Sequence, residues 1–286
     1  MSLNVAVDNL QAVNAVLNYL APTFKRPRTY TYDPPPNVPQ STAVYAAVEL
    51  PVYDGRPVAS AFTLDRHGFA FVEHRSAVRD FYDDEEVKRV YYPEAEQLLK
   101  DSTGASRVFV FDHIARRRIP GAADRRDGVR QPVSRVHVDH TAKSGPQRVR
   151  DLLADEAKDL LHGRVQIINV WRPIRGPLRD TPLAVCDAAS VESTDLVPSD
   201  LVYPHRIGET YSVTYRPSHR WFYFRNMHVD EALLLKCFDS KTDGRARFAP
   251  HTAFADPETP ADAPPRESIE LRALVFHQSD EPAERM

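Results

Sequence analysis

The sequence predicts a mainly β protein: a jelly-roll or cupin-like double-stranded β-helix core with peripheral helices. Three observations predict it. Short strand-like runs recur through the second half of the chain, aromatic residues alternate within them, and helical periodicity is confined to a few brief stretches. The 286 residues, 42% of them hydrophobic, suffice for one large core. No internal repeat and no linker divides them, so the reading is a single domain over 1–286.

Taken in order, residues 8–20 place Leu10, Val13, Val16, Leu17 and Leu20 at helical spacing, which predicts an N-terminal helix. Prolines 22, 27 and 34–36 then predict an extended arm. The helix and arm, about 1–40, should pack on the barrel, because proline neither continues a helix nor donates to a ladder. Residues 44–52 and 60–64 read as strands, and 84–100 as a helix divided at Pro93. Residues 106–113 are strand-like, 116–130 a basic loop, 133–139 a strand, and 146–161 an amphipathic helix. Strands follow at 165–171, 183–187, 211–215, 221–225, 232–238 and 269–276.

Composition excludes several classes. A net charge of -3 gives no general attraction to nucleic acid or anionic membrane, and the arginine runs at 116–118 and 125–126 read as solvated loop. Cys186 and Cys237 are isolated, which argues against a disulfide framework or a structural zinc site. No basic n-region precedes an apolar stretch at the N-terminus, and no apolar run reaches spanning length. The expectation is a cytoplasmic protein with a small-molecule substrate, no nucleic-acid or membrane partner, and a surface compatible with a homodimer.

Chemistry enters at His137-Val138-Asp139. On a strand, alternate side chains share a face, so His137 and Asp139 project together and are able to bind one metal ion. A distal histidine would complete a two-His-one-carboxylate triad, which leaves three positions on iron(II) for a bidentate 2-oxo acid and dioxygen. HxD alone is a weak signal among 11 histidines, and its ordinary reading is a hydrogen-bonded pair. His140 falls on the other face and reads as structural. The distal candidates are His205, His219, His228 and His251. His251 is favoured because Arg266 follows fifteen residues later at the start of a strand. There a guanidinium would grip the far carboxylate of 2-oxoglutarate with a bidentate fork. Arg272, on the same parity of that strand, is the reserve for this role, its ordinary reading being a salt bridge at the barrel edge. Asn169 and Trp171 share one strand face and would lie beside the co-substrate, the alternative being a core Trp and a loop-bonding Asn. Tyr211 and Tyr223 belong to the barrel's aromatic layers and are the tyrosines expected to touch substrate. Lys236 with Asp239 reads as a structural ion pair, and Asp112-His113 as structural because adjacent residues face opposite ways.

Blocks along nearly the whole chain carry a resemblance: LNYL at 17–20, DRHGF at 65–69, VYYPE at 90–94, TGA at 103–105, VFDH at 110–113, HVD at 137–139, NVWRP at 169–173, KCFDS at 236–240, HTAF at 251–254 and RESIELR at 266–272. With them the chain resembles the AsaB-like/CmcJ-like hydroxylase/desaturase family of secondary metabolism. The resemblance implies an iron(II)- and 2-oxoglutarate-dependent oxygenase that uses O2 to hydroxylate or desaturate a small molecule. Two rivals remain: a non-catalytic small-molecule-binding barrel or partner protein of a biosynthetic enzyme, and a zinc hydrolase on the same three ligands. The zinc reading lacks an obvious general base and leaves Arg266 without a task.

Overall fold

The computed structural model describes residues 5–23, 25–122 and 130–278. Fourteen strands are found among them: β1 (Ala12–Leu20), β2 (Arg28–Tyr30), β3 (Tyr45–Asp54), β4 (Phe69–Glu73), β5 (Arg107–Arg117), β6 (His137–Val138), β7 (Val165–Pro173), β8 (Leu183–Cys186), β9 (Leu196–Val202), β10 (Ile207–Val213), β11 (Trp221–Tyr223), β12 (Glu231–Asp239), β13 (His251–Ala253) and β14 (Glu267–Phe276). They form a five-stranded sheet in the order β4-β12-β7-β14-β5 and a nine-stranded sheet in the order β1-β3-β11-β8-β13-β6-β10-β9-β2. The run β5-β14-β7-β12 faces the run β6-β13-β8-β11, and this pair of four-stranded halves is the expected jelly roll.

Strand alternation decides what each half buries. Ile168 and Val170 of β7 point outward and join Leu234, Leu271, Ala273 and Val275 beneath the helix α3 (Tyr92–Thr103), which contributes Ala95 and Leu99. Trp171 on the opposite face joins Leu233, Leu235, Val185 and Phe222 between the sheets. Every residue of β7 is buried, as expected of a central strand covered on both sides. Pro93 sits in the first turn of α3, where its missing N–H costs nothing, and a π-helical turn (Val87–Tyr91) precedes it.

Four local expectations differ from the structure. Residues 8–20 form no helix: Val13, Ala15, Leu17 and Tyr19 are buried at period two in β1, which pairs antiparallel with β3. Val13 and Leu17 satisfy both periods, and the ladder with β3 decides between them. Residues 60–64 form no strand. A 3-10 turn (Arg56–Ala61) with Pro57 near its start leads into the short helix α1 (Leu64–His67), Asp84–Glu86 being α2. The strand expected over 133–139 is reduced to His137–Val138, with only isolated bridges around it. The helix expected over 146–161 is two helices, α4 (Ser144–Leu152) and α5 (Ala157–Leu160). Val149 and Ala157 are both buried across the break, so periodicity carries no trace of it. The proline-rich arm is pinned at the edge of the nine-stranded sheet, where β2 pairs parallel with β9. Part of the basic loop, residues 123–129, lies outside the described residues.

Candidate metal centre

β6 and β13 are antiparallel neighbours whose register puts His251 directly opposite His137. Both imidazoles are buried, and their ring centroids lie 4.5 Å apart. Asp139 leaves β6 one residue past its end and returns its carboxylate to the same side, its Oδ1 3.5 Å from His137 Nε2. One ligand atom from each of His137, Asp139 and His251 lies within 4.8 Å of the others, a grouping of three donors that fits one cation.

Hydrogen bonds orient these donors. His137 donates from Nδ1 to the Arg135 carbonyl at 2.9 Å, and His251 from Nδ1 to the Ala249 carbonyl at 3.0 Å. Both Nε2 lone pairs are thereby left toward the centre, and His251 Nε2 is buried without any partner. An acceptor atom in that condition is costly unless something occupies the space before it. Asn169 of β7 donates Nδ2 to Asp139 Oδ2 at 2.8 Å and so fixes the carboxylate. Burial, reinforced by His251, pushes His137 down to about 4, so it is neutral at pH 7. Burial also opposes the charge on Asp139, but the proximity of His137, His251 and Arg272 outweighs it and holds the carboxyl well below the usual range. Two imidazoles and one carboxylate, each already oriented by a hydrogen bond, are the donor set of an iron(II) or zinc(II) site.

Of the distal candidates, only His251 joins the triad. His205 is exposed in the β9–β10 turn, and His219 is committed to Asp195 at 3.1 Å and to Tyr19. His140 lies next to Asp139 but turns to Ser144 Oγ at 3.3 Å, and burial pushes it down to about 3.

Arg272 of β14 and Arg266, the residue just before that strand, differ in their surroundings. Arg272 is cross-strand from Asn169, bonds Asp112 at 2.9 Å, and lines both cavities that reach Asp139. Burial works against its charge, and Asp112, Asp139 and Glu270 more than compensate. Arg266 lines neither cavity. It is 2% exposed, with its guanidinium carbon 5.0 Å over the Trp171 ring. Its Nε donates to Ser268 Oγ at 3.0 Å and its Nη1 to the Thr181 carbonyl at 2.9 Å. Both acceptors are neutral. The nearby Asp180 is engaged by Arg118, Thr181 and the Arg266 main chain. Burial, with the neighbouring Arg116 charge, pulls Arg266 down to about 9. Trp171 and Asn169 are two residues apart on the inner face of β7, about 7 Å along the strand, so Arg266, Trp171, Asn169 and Asp139 form a row.

Tyr223 packs edge-on against Phe254 and lines a separate cleft with Arg225 and Asp256, while Tyr211 packs on Phe248. The larger cavity reaching the triad, about 680 Å³, is instead walled by Tyr30, Phe111, Arg148, Tyr203 and Arg206. These come from the arm, β5, α4 and the β9–β10 turn, and no local motif marks them. Asp112 pairs with Arg272, His113 with Asp84, and Lys236 with Asp239, all as structural pairs.

A family model described as an oxidoreductase/YMDC permease-like domain matches residues 17–276. The hydroxylase/desaturase efuI of Hormonema carpetanum is 38% identical over 258 residues, covering 83% of this chain and 86% of that protein. The Fe(II)/2-oxoglutarate-dependent dioxygenase nvfI of Aspergillus novofumigatus is 32% identical over 255 residues, 86% of this chain and 90% of that one. A solved structure of the iron and alpha-ketoglutarate-dependent endoperoxidase NvfI matches with a TM-score of 0.85 and 29% identity, over 94% of this chain and 99% of that chain.

Proposed function

The chain belongs to this oxidoreductase family of hydroxylases, desaturases and Fe(II)/2-oxoglutarate-dependent dioxygenases, and from that premise we propose that His137, Asp139 and His251 hold iron(II) and Arg266 anchors 2-oxoglutarate. The substrate is a small molecule that is hydroxylated or desaturated. Iron(II) in this site supplies the activation of O2 that accompanies oxidative decarboxylation of 2-oxoglutarate to succinate and carbon dioxide. The protein's own groups do the rest. Main-chain carbonyls fix the two imidazoles, Asn169 fixes the Asp139 carboxylate, and Trp171 walls the space between the triad and Arg266 against water.

The observation that carries the metal assignment is the buried, unpartnered His251 Nε2, aimed at His137 and Asp139. The anchor assignment rests on charge. Arg266 is a fully desolvated cation held only by neutral acceptors, and such a site gains most from an incoming carboxylate. Arg272 already has its carboxylate in Asp112. No described helix is long and apolar enough to cross a membrane.

Anaerobic addition of iron(II) and 2-oxoglutarate should give the weak visible charge-transfer absorption of the chelate. His137→Ala, Asp139→Ala and His251→Ala should each abolish it while keeping the β-rich circular dichroism. Retention of the band and of 2-oxoglutarate consumption by His251→Ala would remove His251 from the triad. Tight zinc binding with no response to 2-oxoglutarate would replace the oxygenase reading by the hydrolase one.

A further inference from the structure

Several half-buried arginines in this protein are paired with carboxylates: Arg56 with Glu231, Arg164 with Asp239, Arg216 with Asp195 and Arg220 with Asp187. The cavity beside the triad breaks this pattern. Half-buried Arg148, on α4, and exposed Arg206, in the β9–β10 turn, both line the cavity that contains His137 and Asp139. Among the described residues, neither guanidinium forms an ion pair with a carboxylate. Arg148 lies 5.5 Å from the Phe111 ring and Arg206 4.2 Å from the Tyr203 ring. The acidic residue nearest in sequence to Arg148 is Asp151, whose carboxylate is taken by Gln147 at 2.8 Å. Arg26, which lines the neighbouring cavity, is by contrast neutralised by Asp200 and Glu209. Burial and the neighbouring charge of Arg206 pull Arg148 below its ordinary value, against smaller opposing effects of Tyr203 and Asp151.

Phe111, Leu152, Leu201 and Tyr203 supply apolar and aromatic surface to the same cavity. A guanidinium laid on a ring keeps its edge free, and that edge matches a planar oxyanion bidentately. We infer that the substrate pocket takes an organic carboxylic acid with an apolar or aromatic body, its carboxylate held between Arg148 and Arg206 and its body lying toward His137 and Asp139. This inference deepens the oxygenase reading and rests on it for the identity of the site. Arg266 lines no part of this cavity, so the acid and 2-oxoglutarate occupy different cations.

The test compares naphthalene-2-carboxylate with its neutral carboxamide by calorimetry, on full-length protein loaded anaerobically with iron(II) and 2-oxoglutarate and again on metal-free protein. The acid should bind at least tenfold tighter than the amide. The double variant R148Q/R206Q should lose that preference while its 2-oxoglutarate affinity stays within about twofold of wild type. R148K/R206K, which keeps the charges, should regain part of it and thereby exclude misfolding as the cause. Equal binding of acid and amide by wild type would overturn the inference. So would displacement of 2-oxoglutarate by the acid, or a tenfold loss of 2-oxoglutarate affinity in R148Q/R206Q, since the two arginines would then serve the co-substrate. If the protein bound neither iron(II) nor 2-oxoglutarate, the oxygenase reading would fall, while the acid-over-amide ratio on metal-free protein would still decide the anion site.

Discussion

His137 and His251 each spend one ring nitrogen on a main-chain carbonyl two residues earlier, and this pair of bonds fixes both tautomers before any ligand arrives. Asn169 does the same for Asp139, so its effect on the metal is indirect. Asn169→Ala should weaken iron(II) affinity by about 10- to 100-fold, the usual consequence of removing a partner that orients a ligand. Equilibrium iron titration of the variant is the check, and unchanged affinity would reduce Asn169 to packing. Arg266 acts at the other end of the row. Truncating one partner of a buried charge pair costs roughly 2–4 kcal/mol, so Arg266→Ala should raise the 2-oxoglutarate requirement about 30- to 1000-fold with iron affinity little changed. Arg266→Lys should fall between, because an ammonium replaces part of the fork. Arg272→Ala, which frees Asp112, should have a modest effect on 2-oxoglutarate use. The reverse ranking of the two alanine variants at equal stability would make Arg272 the anchor.

Among the elements, α4 is held against β12 through a point that only glycine fits. A Cβ added at Gly145 would stand 2.5 Å from the Phe238 ring. Gly145→Ala should therefore destabilise the protein by about 1–3 kcal/mol, the range for overpacking a filled core. Because α4 carries Arg148, it should also disturb the substrate cavity more than the triad. Denaturant unfolding measures the loss, and adding Phe238→Leu should recover part of it. A single Gly145→Ala variant as stable as wild type would show that α4 moves freely on the sheet. The same helix shows why elements were misread from sequence. Val149 and Ala157 keep helical phase across the break between α4 and α5, so the apolar pattern continues where the backbone does not. In β1 the ambiguity ran the other way. Apolar residues at 13, 16, 17 and 20 suit a helix, and the antiparallel partner β3 made it a strand.

At the scale of the whole molecule, burial dominates the titration of five imidazoles away from the metal centre. His67, His74, His113, His219 and His277 all have lowered pKa values, with burial the largest cause in each. Groups held neutral in the folded state bind protons more readily when unfolded. Their contribution to stability is full above the unfolded value near 6.5 and is lost as pH falls through the lower folded values. The metal-free protein should accordingly show a lower urea midpoint at pH 5.5 than at pH 7.5, and a midpoint independent of pH over that interval would contradict it. What the sequence determined by itself was the chemistry that adjacent residues carry: HxD at 137–139, an Arg266 following His251 at the entry to a strand, and a β-rich chain whose Asn169 and Trp171 share a face. These depend on residue type and on the two-residue alternation of a strand, both local properties. Only the tertiary structure decided that β13 lies beside β6 with His251 opposite His137, that β1 pairs with β3, and that Arg148 and Arg206 line one cavity. Strand order and cavity walls are set by which apolar faces pack together across long stretches of chain, and nearest neighbours carry no record of that choice.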